Sequence, residues 1–392
     1  MAVHQRIALL VFLLLIHDNT GQRQRKITND SYILDQCPLN KSLTPNSTFA
    51  KNITHNSCSQ PLKALNVFYS VYLVIVMVAA FFGNVFVCLV IIRSRKLRSQ
   101  SVFHLLFSLA VSDVLVSVLS LPIKLHAGLH NQQFCLDIKV CWFFYYSDIL
   151  ANCSSVTHLL VISIQRFVAM IFPFENHFIL SRRRIDMLIV LVWAYAIIWS
   201  ALCSFNWQKP DLPAVTIHEK PTIRTCFNDN PIYWTVVWVA VFIIPLFIMG
   251  CLQVAILHSV KSHTKRLLRL ERDADKATRI RRREIKVAKT VSIVYAAFTT
   301  CWLPVCLLTV TASWCPECFA SFREWNSDVF VATYLIFTHM LPVLSSTLNP
   351  FIYVISGDEF RKAIKSLFTN QRSGRSSMLP RNQSTDHRSS WV

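Results

Sequence analysis

Charged residues are scarce in this sequence. Asp, Glu, Lys and Arg make up only 16% of its 392 residues, while 53% are hydrophobic; soluble domains carry about 25% charged residues. The apolar residues also come in long uncharged blocks rather than in amphipathic stripes. This composition excludes an ordinary soluble protein and predicts a membrane protein.

Glycine is scarce as well. The whole chain contains six glycines and no evident internal repeat. Transporters are commonly built from repeats whose membrane helices are interrupted by Gly or Pro. A membrane transporter or channel is therefore the alternative class for this sequence, and the low glycine content disfavours it.

The amino-terminal region has two parts. An apolar run over Ile7–Ile16 is too short to cross a hydrocarbon core of about 30 Å, and it predicts a signal peptide over residues 1–21. Residues 22–65 are polar and contain four Asn-x-Ser/Thr sequences, which predict a glycosylated extracellular tail. The four acceptor residues are Asn29, Asn40, Asn46 and Asn52.

Seven long apolar segments follow within residues 66–357. Each is long enough to cross a bilayer as a helix, so the predicted fold is an all-α membrane protein, a seven-transmembrane helix bundle. The predicted spans are Val67–Ile92, Phe103–Leu125, Val140–Phe172, Met187–Ser204, Ile232–Leu257, Thr290–Ser313 and Val329–Ile355.

The distribution of basic residues predicts the orientation. Between Lys261 and Lys289 there are twelve basic and four acidic residues, whereas the outer loops hold six basic residues, counting Lys124, and seven acidic ones. Basic residues accumulate on the cytoplasmic side, so we expect the amino terminus outside the cell. The net charge of +19 then reflects topology and contact with anionic lipid, and no nucleic-acid partner is expected.

The carboxyl-terminal region also has two parts. Residues 358–368 place Phe360 and Ile364 at helical spacing among Arg361 and Lys362, which predicts a short amphipathic helix on the inner membrane surface. Residues 369–392 are polar and rich in serine, so we expect a disordered cytoplasmic tail. The final residues, 390–392, have the hydroxyl and terminal aliphatic side chain that a PDZ protein binds.

An ordered set of motifs identifies the family that this sequence resembles. The chain from Val67 to Phe368 resembles the rhodopsin-like (class A) G-protein-coupled receptors, and loosely the biogenic-amine receptors. This implies a plasma-membrane receptor, not an enzyme, that activates a heterotrimeric G protein, with arrestin and a receptor kinase as further partners. The motifs are Gly83-Asn84, Leu109-Ala110-x-x-Asp113, Arg166, Trp193, Pro245, Cys301-Trp302-Leu303-Pro304 and Asn349-Pro350-Phe351-Ile352-Tyr353.

An acidic residue in the third span suggests the ligand class. Asp148 lies in an apolar helix, where a carboxylate is costly unless it faces a cavity and a partner. In amine receptors an acid at the matching position binds the ligand's protonated amine. The resemblance therefore implies a small cationic amine as ligand, and the alternative is that Asp148 is hydrogen-bonded to a neighbouring helix. The expected binding residues are Asp148, Asn152, Trp302 and His339.

Other positions depart from the amine receptors. The fifth span has Val237 and Val241 in the neighbourhood where catecholamine receptors use serines, so a class A peptide receptor is the alternative. Val343 stands in the seventh span, which contains no lysine that could form a retinal Schiff base. We therefore expect no retinal cofactor.

The resemblance also implies a set of residues that switch between the closed and open states. The family's acid-Arg-Tyr triplet is Gln165-Arg166-Phe167 here, and Glu284 matches an acid that pairs with this arginine in many relatives. Loss of one of two restraints predicts raised basal signalling. The expected switch residues are Arg166, Glu284, Pro304, Asn349, Pro350 and Tyr353.

Oxygen-bearing side chains are expected at the middle of the membrane. In this family the matching positions surround a sodium ion, and an oxygen-only shell suits a hard cation. A water-filled hydrogen-bond network without metal is the alternative. The residues are Asp113, Ser155, Ser345, Ser346 and Asn349.

Cysteines in the outer regions predict disulfides. The oxidising secretory compartment favours a bond between Cys141, at the outer end of the third span, and Cys226, in the next outer loop, and the resemblance implies the same bond. Some amine receptors carry a small loop disulfide like one between Cys315 and Cys318, where a zinc site would lack two ligands. The pairing of three more cysteines, Cys37, Cys58 and Cys135, stays open.

Overall fold

The computed structural model describes residues 60–172, 181–209, 211–220, 223–228, 230–269 and 276–376. The predicted signal peptide, the glycosylation sites Asn29, Asn40, Asn46 and Asn52, and residues 377–392 lie outside this part of the chain. Seven helical spans are long and apolar enough to cross a membrane, which confirms the predicted fold class. Spans one to seven are Ala64–Arg93, Ser101–Leu129, Ile138–Ile171, Arg182–Leu202, Pro231–Lys261, Ala288–Trp314 and Asp328–Ile355.

Helices dominate because hydrocarbon offers no partner to a free backbone amide or carbonyl. Beyond the spans, the described chain adds a hairpin, short outer helices and two inner helices. The α-helices are Gln60–Arg93, Arg95–Arg98, Ser101–Leu115, Leu121–Leu129, Ile138–Ile171, Arg182–Leu202, Pro231–Val237, Ile244–Arg269, Lys276–Trp314, Ala320–Trp325, Ser327–Leu335, Leu341–Ser356 and Asp358–Ser376, with a 3-10 turn at Pro316–Phe319.

Three spans contain a π-helical turn. The turns are Val116–Ser120 in span two, Trp238–Ile243 in span five and Ile336–Met340 in span seven. Each turn ends two residues before a proline: Pro122, Pro245 or Pro342. Proline lacks an amide hydrogen and clashes with the carbonyl one turn earlier, so the preceding turn widens by one residue. The side chains beyond each π turn therefore point in a different direction from the one that an unbroken α-helix of the same sequence would give them.

Spans one and seven pack closely near the membrane centre. The Asn84 side chain is fully buried and donates hydrogen bonds to the carbonyls of Ala80 and Ser346, at 2.8 and 3.0 Å. A Cβ atom on the neighbouring Gly83 would lie 3.0 Å from the Pro350 side chain. The absence of a side chain at Gly83 therefore permits this contact.

The outer surface is covered by an antiparallel hairpin formed by β1 (Val215–Lys220) and β2 (Ile223–Asn228). The structure contains the predicted disulfide from Cys226 of β2 to Cys141 at the outer end of span three. The outer loop between spans six and seven contains the Cys315–Cys318 disulfide. Cys135 is also disulfide-bonded.

The inner helix, Asp358–Ser376, begins where the sequence predicts but continues past residue 368. The helix therefore includes residues 369–376, which the sequence analysis assigns to the tail. Phe360 is buried and lies with its ring 6.5 Å from that of Phe86, which anchors the helix to span one.

Replacing Gly83 with valine is expected to destabilise the protein. The new side chain would overlap Pro350, and overpacking of this kind costs about 1–3 kcal/mol. The melting temperature of the detergent-solubilised protein should fall, together with surface expression. Phe82→Val, which puts the same side chain at the neighbouring lipid-facing position that is 64% exposed, is the control. Equal melting temperatures for the two variants would contradict the prediction.

Candidate functional site

Asp148 lies in the outer half of span three and is already ion-paired. Its Oδ1 atom accepts a hydrogen bond from Lys124 Nζ of span two at 2.9 Å, and a second from the Ser120 hydroxyl. The Asp148 side chain remains 25% exposed. The carboxylate therefore does not stand uncompensated in the membrane, because the bundle itself supplies the opposite charge.

Lys124 is a residue whose role the sequence analysis missed. It was counted among outer-loop residues, but it lies in the helix Leu121–Leu129, and its side chain is only 15% exposed. It follows the π turn that ends at Ser120, and both side chains reach Asp148. A signal was present in the sequence: Lys124 and Arg166 are the only Lys or Arg residues within the predicted spans.

The other predicted ligand-binding residues lie at different depths. His339 lies between the rings of Tyr69 and Tyr334, at centroid distances of 6.4 and 6.0 Å. Asn152, one turn inward of Asp148, is half-buried and donates its amide hydrogen to the Asp148 carbonyl at 2.8 Å. Their roles in binding stay predictions, which the partial exposure of both residues permits.

Trp302 forms the centre of an aromatic stack. Its indole lies 4.6 Å from the Phe242 ring and 5.7 Å from the Phe298 ring, and Trp238 approaches it at 6.4 Å. Trp238 is a second missed residue, because the π turn that contains it changes the phase of span five. The span-five side of the site is therefore aromatic where a catecholamine receptor would be polar.

Four of the five residues predicted to surround a cation meet in the structure. Asp113 is 1% exposed and accepts hydrogen bonds from Ser155 at 3.3 Å and from Asn349 at 2.8 Å, and the Ser346 side chain lies close to it. Ser345 has other partners: it donates to the carbonyl of residue 342 and accepts from the Trp302 indole. No Lys or Arg among the described residues pairs with Asp113, so the buried oxygen cluster fits a hard cation.

A further polar network extends from this cluster, and the sequence analysis did not find it. The Ser112 hydroxyl contacts those of Ser155 and Ser154, at 2.8 and 2.5 Å. His158, which is fully buried, donates from Nδ1 to the Ser154 carbonyl at 2.7 Å and accepts from Ser108 at 2.8 Å. The network joins spans two and three through atoms that all have partners.

The inner end of span three carries the predicted switch arginine. Arg166 is 7% exposed, and the neighbouring Gln165 donates from its side chain to Ser101 of span two at 3.2 Å. The backbone of Glu284 belongs to the helix of span six, but its side chain lies outside the described part of the structure. The Arg166–Glu284 pair therefore stays a prediction.

Gln253 joins three spans near the inner surface. Its amide donates to Ser163 of span three at 3.3 Å and accepts from Ser292 of span six at 2.8 Å. Tyr353 of span seven is 5% exposed, and its hydroxyl has no hydrogen-bond partner among the described residues. The predicted prolines Pro304 and Pro350 lie inside the helices of spans six and seven.

An ion pair joins the inner extension of the span-six helix, Lys276–Trp314, to the inner helix Asp358–Ser376. Lys286 Nζ lies 2.5 Å from Asp358 Oδ2, and Arg361 also pairs with Asp358. These two cations hold the pKa of the Asp358 carboxyl below its ordinary value, so it remains charged at neutral pH. Glu359 of the same helix contacts Lys96, at 3.2 Å.

Comparison with known proteins agrees with this architecture. The family model described as "7 transmembrane receptor (rhodopsin family)" matches residues 83–353. The D(1B) dopamine receptor of Xenopus laevis is 30% identical over 73% of this chain and 66% of its own length. Neuromedin-U receptor 2 of Mus musculus is 29% identical over 87% of this chain and 84% of its own length. The chain thus spans about two thirds of the first relative and most of the second.

The family match covers the span-one motif at Gly83, the switch arginine, the span-six tryptophan and the motif that ends at Tyr353. These residues lie in the seven-helix bundle at the depths described above. The chain is not an enzyme; it belongs to the rhodopsin family of seven-transmembrane receptors.

Proposed function

We propose that this chain is a plasma-membrane receptor that converts extracellular ligand binding into nucleotide exchange on a heterotrimeric G protein. Its amino terminus lies outside the cell, and its ligand is a small molecule with a protonated amine. The observation that carries this proposal is the half-buried Asp148 carboxylate in the outer half of span three. The dopamine receptors among the relatives support it.

Binding starts with an exchange of partners at Asp148. The ligand's ammonium group pairs with the carboxylate, and a charge-assisted hydrogen bond of this kind is strong where water is excluded. Lys124 then loses part of its interaction with Asp148. The contact between spans two and three weakens, and this is how the ligand changes the relative stability of the closed and open states.

The signal then passes through Trp302. Its indole nitrogen donates to Ser345 of span seven at 3.1 Å, and its ring stacks on Phe298, one turn further inward. A shift of the tryptophan therefore changes its contact with span seven and its contact with the inner part of its own span at the same time. The Pro304 kink allows the inner part of span six to swing as a unit.

Opening at the inner surface must break the contacts that hold span six. These are the hydrogen bond from Ser292 to Gln253 and the ion pair between Lys286 and Asp358. The proposed Arg166–Glu284 pair is a third restraint. Their loss uncovers the inner surface to which the G protein binds, with the Asn349-to-Tyr353 motif repacking beside it.

A sodium ion is part of the proposal. Asp113, Ser155, Ser346 and Asn349 would hold it, and the buried carboxylate without a described cationic partner supports this. When bound, the ion supplies a positive charge that stabilises the closed packing of spans two, three and seven. Asn349 and Ser155 hold the carboxylate in place by donating hydrogen bonds to it.

A peptide ligand is the second candidate. The β1–β2 hairpin, fixed to span three by the Cys141–Cys226 bond, has a strand edge at the outer surface that an extended peptide can pair with. Neuromedin-U receptors, which are peptide receptors, are among the relatives. Arrestin, a receptor kinase and a PDZ protein at the carboxyl end remain predicted partners.

Removing the carboxylate should abolish responses to cationic ligands. In a screen of protonated amines and short peptides, Asp148→Asn should raise the half-maximal concentration by about a hundredfold, as expected for a loss of about 3 kcal/mol. G-protein activation in cells measures this, with surface expression matched. Asp211→Asn, an exposed outer-loop change, is the control. A potent ligand that is indifferent to Asp148→Asn would refute the role of the carboxylate.

Restoring the missing acid beside Arg166 should lower ligand-free activity. Gln165→Asp adds a second restraint to the closed state, and a gain of about 1.4 kcal/mol reduces the open population tenfold. Basal second-messenger production measures this. Gln165→Asn is the control: asparagine has the same length as aspartate but no charge, so this variant should leave basal activity high. Equal basal activity of the two variants would count against the prediction.

Breaking the ion pair between Lys286 and Asp358 should raise ligand-free activity. Lys286→Ala removes the ion pair with Asp358 and should raise basal activity several-fold, because span six loses a closed-state contact. Lys289→Ala changes an exposed lysine of the same span and serves as the control. The exchanged pair, Lys286→Asp with Asp358→Lys, should bring basal activity back towards the wild-type level. If all these variants have the same basal activity, the Lys286–Asp358 ion pair has no part in activation.

A further inference from the structure

The Lys124–Asp148 pair retains bonding capacity on both of its members. Asp148 uses Oδ1 for both Lys124 and Ser120, and Oδ2 has no hydrogen-bond partner among the described residues. The Lys124 ammonium has three hydrogens, and its one hydrogen bond within the described part goes to Asp148. Both side chains are partly exposed, at 15% and 25%. An acceptor and a donor of opposite charge are therefore available side by side.

A ligand with only an ammonium group fits this pair poorly. When it binds Asp148, it brings a second positive charge close to Lys124 and weakens the pair that compensates the lysine. A charge left without its partner in a half-buried site costs far more than the same charge in water. The ring of Phe144, 5.7 Å from Nζ, offers only a partial replacement.

A ligand with an ammonium and a carboxylate on one molecule fits both charges. Its ammonium takes the open oxygen of Asp148, and its carboxylate takes the open hydrogens of Lys124. The 2.9 Å between Nζ and Oδ1 requires the two ligand charges to lie close together, as they do in an α-amino acid. The total charge of the site stays at zero before and after binding.

We propose that Lys124 is a ligand-binding residue that receives a carboxylate, and that the ligand of this receptor is amphoteric. This chemistry has two sources, a free amino acid derivative or a peptide with a basic and an acidic group. The inference rests on the proposed role of Asp148 as the ammonium site. It adds a second contact that selects among the molecules carrying an amine.

Probes that differ only in a carboxylate test the inference. We would compare tryptophan with tryptamine, tyrosine with tyramine, and short lysine-containing peptides ending in a free acid with their carboxyl-terminal amides. The peptide pairs separate the two sources. The receptors are the wild type, Lys124→Met, Lys124→Arg, Lys124→Gln and the outer control Lys139→Met, whose site is exposed. G-protein activation is measured at matched surface expression.

The expected result is a preference of at least tenfold for the acid-bearing member of a pair in the wild type. Lys124→Met should lose this preference, Lys124→Arg should keep it and Lys139→Met should leave it unchanged. Lys124→Gln can still donate a hydrogen bond to Asp148, so it gives the same answer if the methionine variant fails to reach the surface. The inference is overturned if the preference survives both neutral variants, or if the wild type responds to no acid-bearing probe.

The Asp148→Asn variant separates this inference from the proposed function. If the role of Asp148 is correct and that of Lys124 is wrong, Asp148→Asn loses the response to both members of a pair, and Lys124→Met leaves their ratio unchanged. If the role of Asp148 is itself wrong, Asp148→Asn keeps the full response to the active probes.

Discussion

The structure depends on the inability of hydrocarbon to hydrogen-bond. This constraint makes every span a helix, and it also makes a polar side chain without a partner costly inside the bundle. Asp148 finds Lys124, Asp113 finds Asn349, and Gln253 finds its partners on two neighbouring spans. Because these partners lie on different helices, the helices cannot move without exchanging them. The polar contacts that stabilise the bundle are therefore also the contacts that must change when the helices move.

The fold was largely predictable because its determinants are local. Length and hydropathy alone define the seven spans, and a helix needs no information from its neighbours to satisfy its backbone. The disulfides of Cys141 with Cys226 and Cys315 with Cys318 followed from compartment and resemblance, and both are present. The start of the inner helix at Asp358 was also correct, since its apolar residues repeat at helical spacing.

The site was less predictable because it depends on contacts between elements distant in the sequence. The partner of Asp148 is 24 residues away, and that of Lys286 is 72 residues away. Which face of a helix meets its neighbour is a matter of tertiary packing, so Lys124 was assigned to a loop and Trp238 was overlooked. Ser345 was placed with Asp113 by analogy, whereas the structure joins it to Trp302.

The three widened turns have a consequence for how such a chain can diverge. One residue corresponds to 100° of rotation in a regular helix. A widened turn accommodates one extra residue, so deleting a single residue within Trp238–Ile243 would restore ordinary winding without rotating the outer half of span five. The inner half would keep its place. Insertions and deletions at these points can therefore change the side chains of the turn itself while the helices on both sides keep their packing.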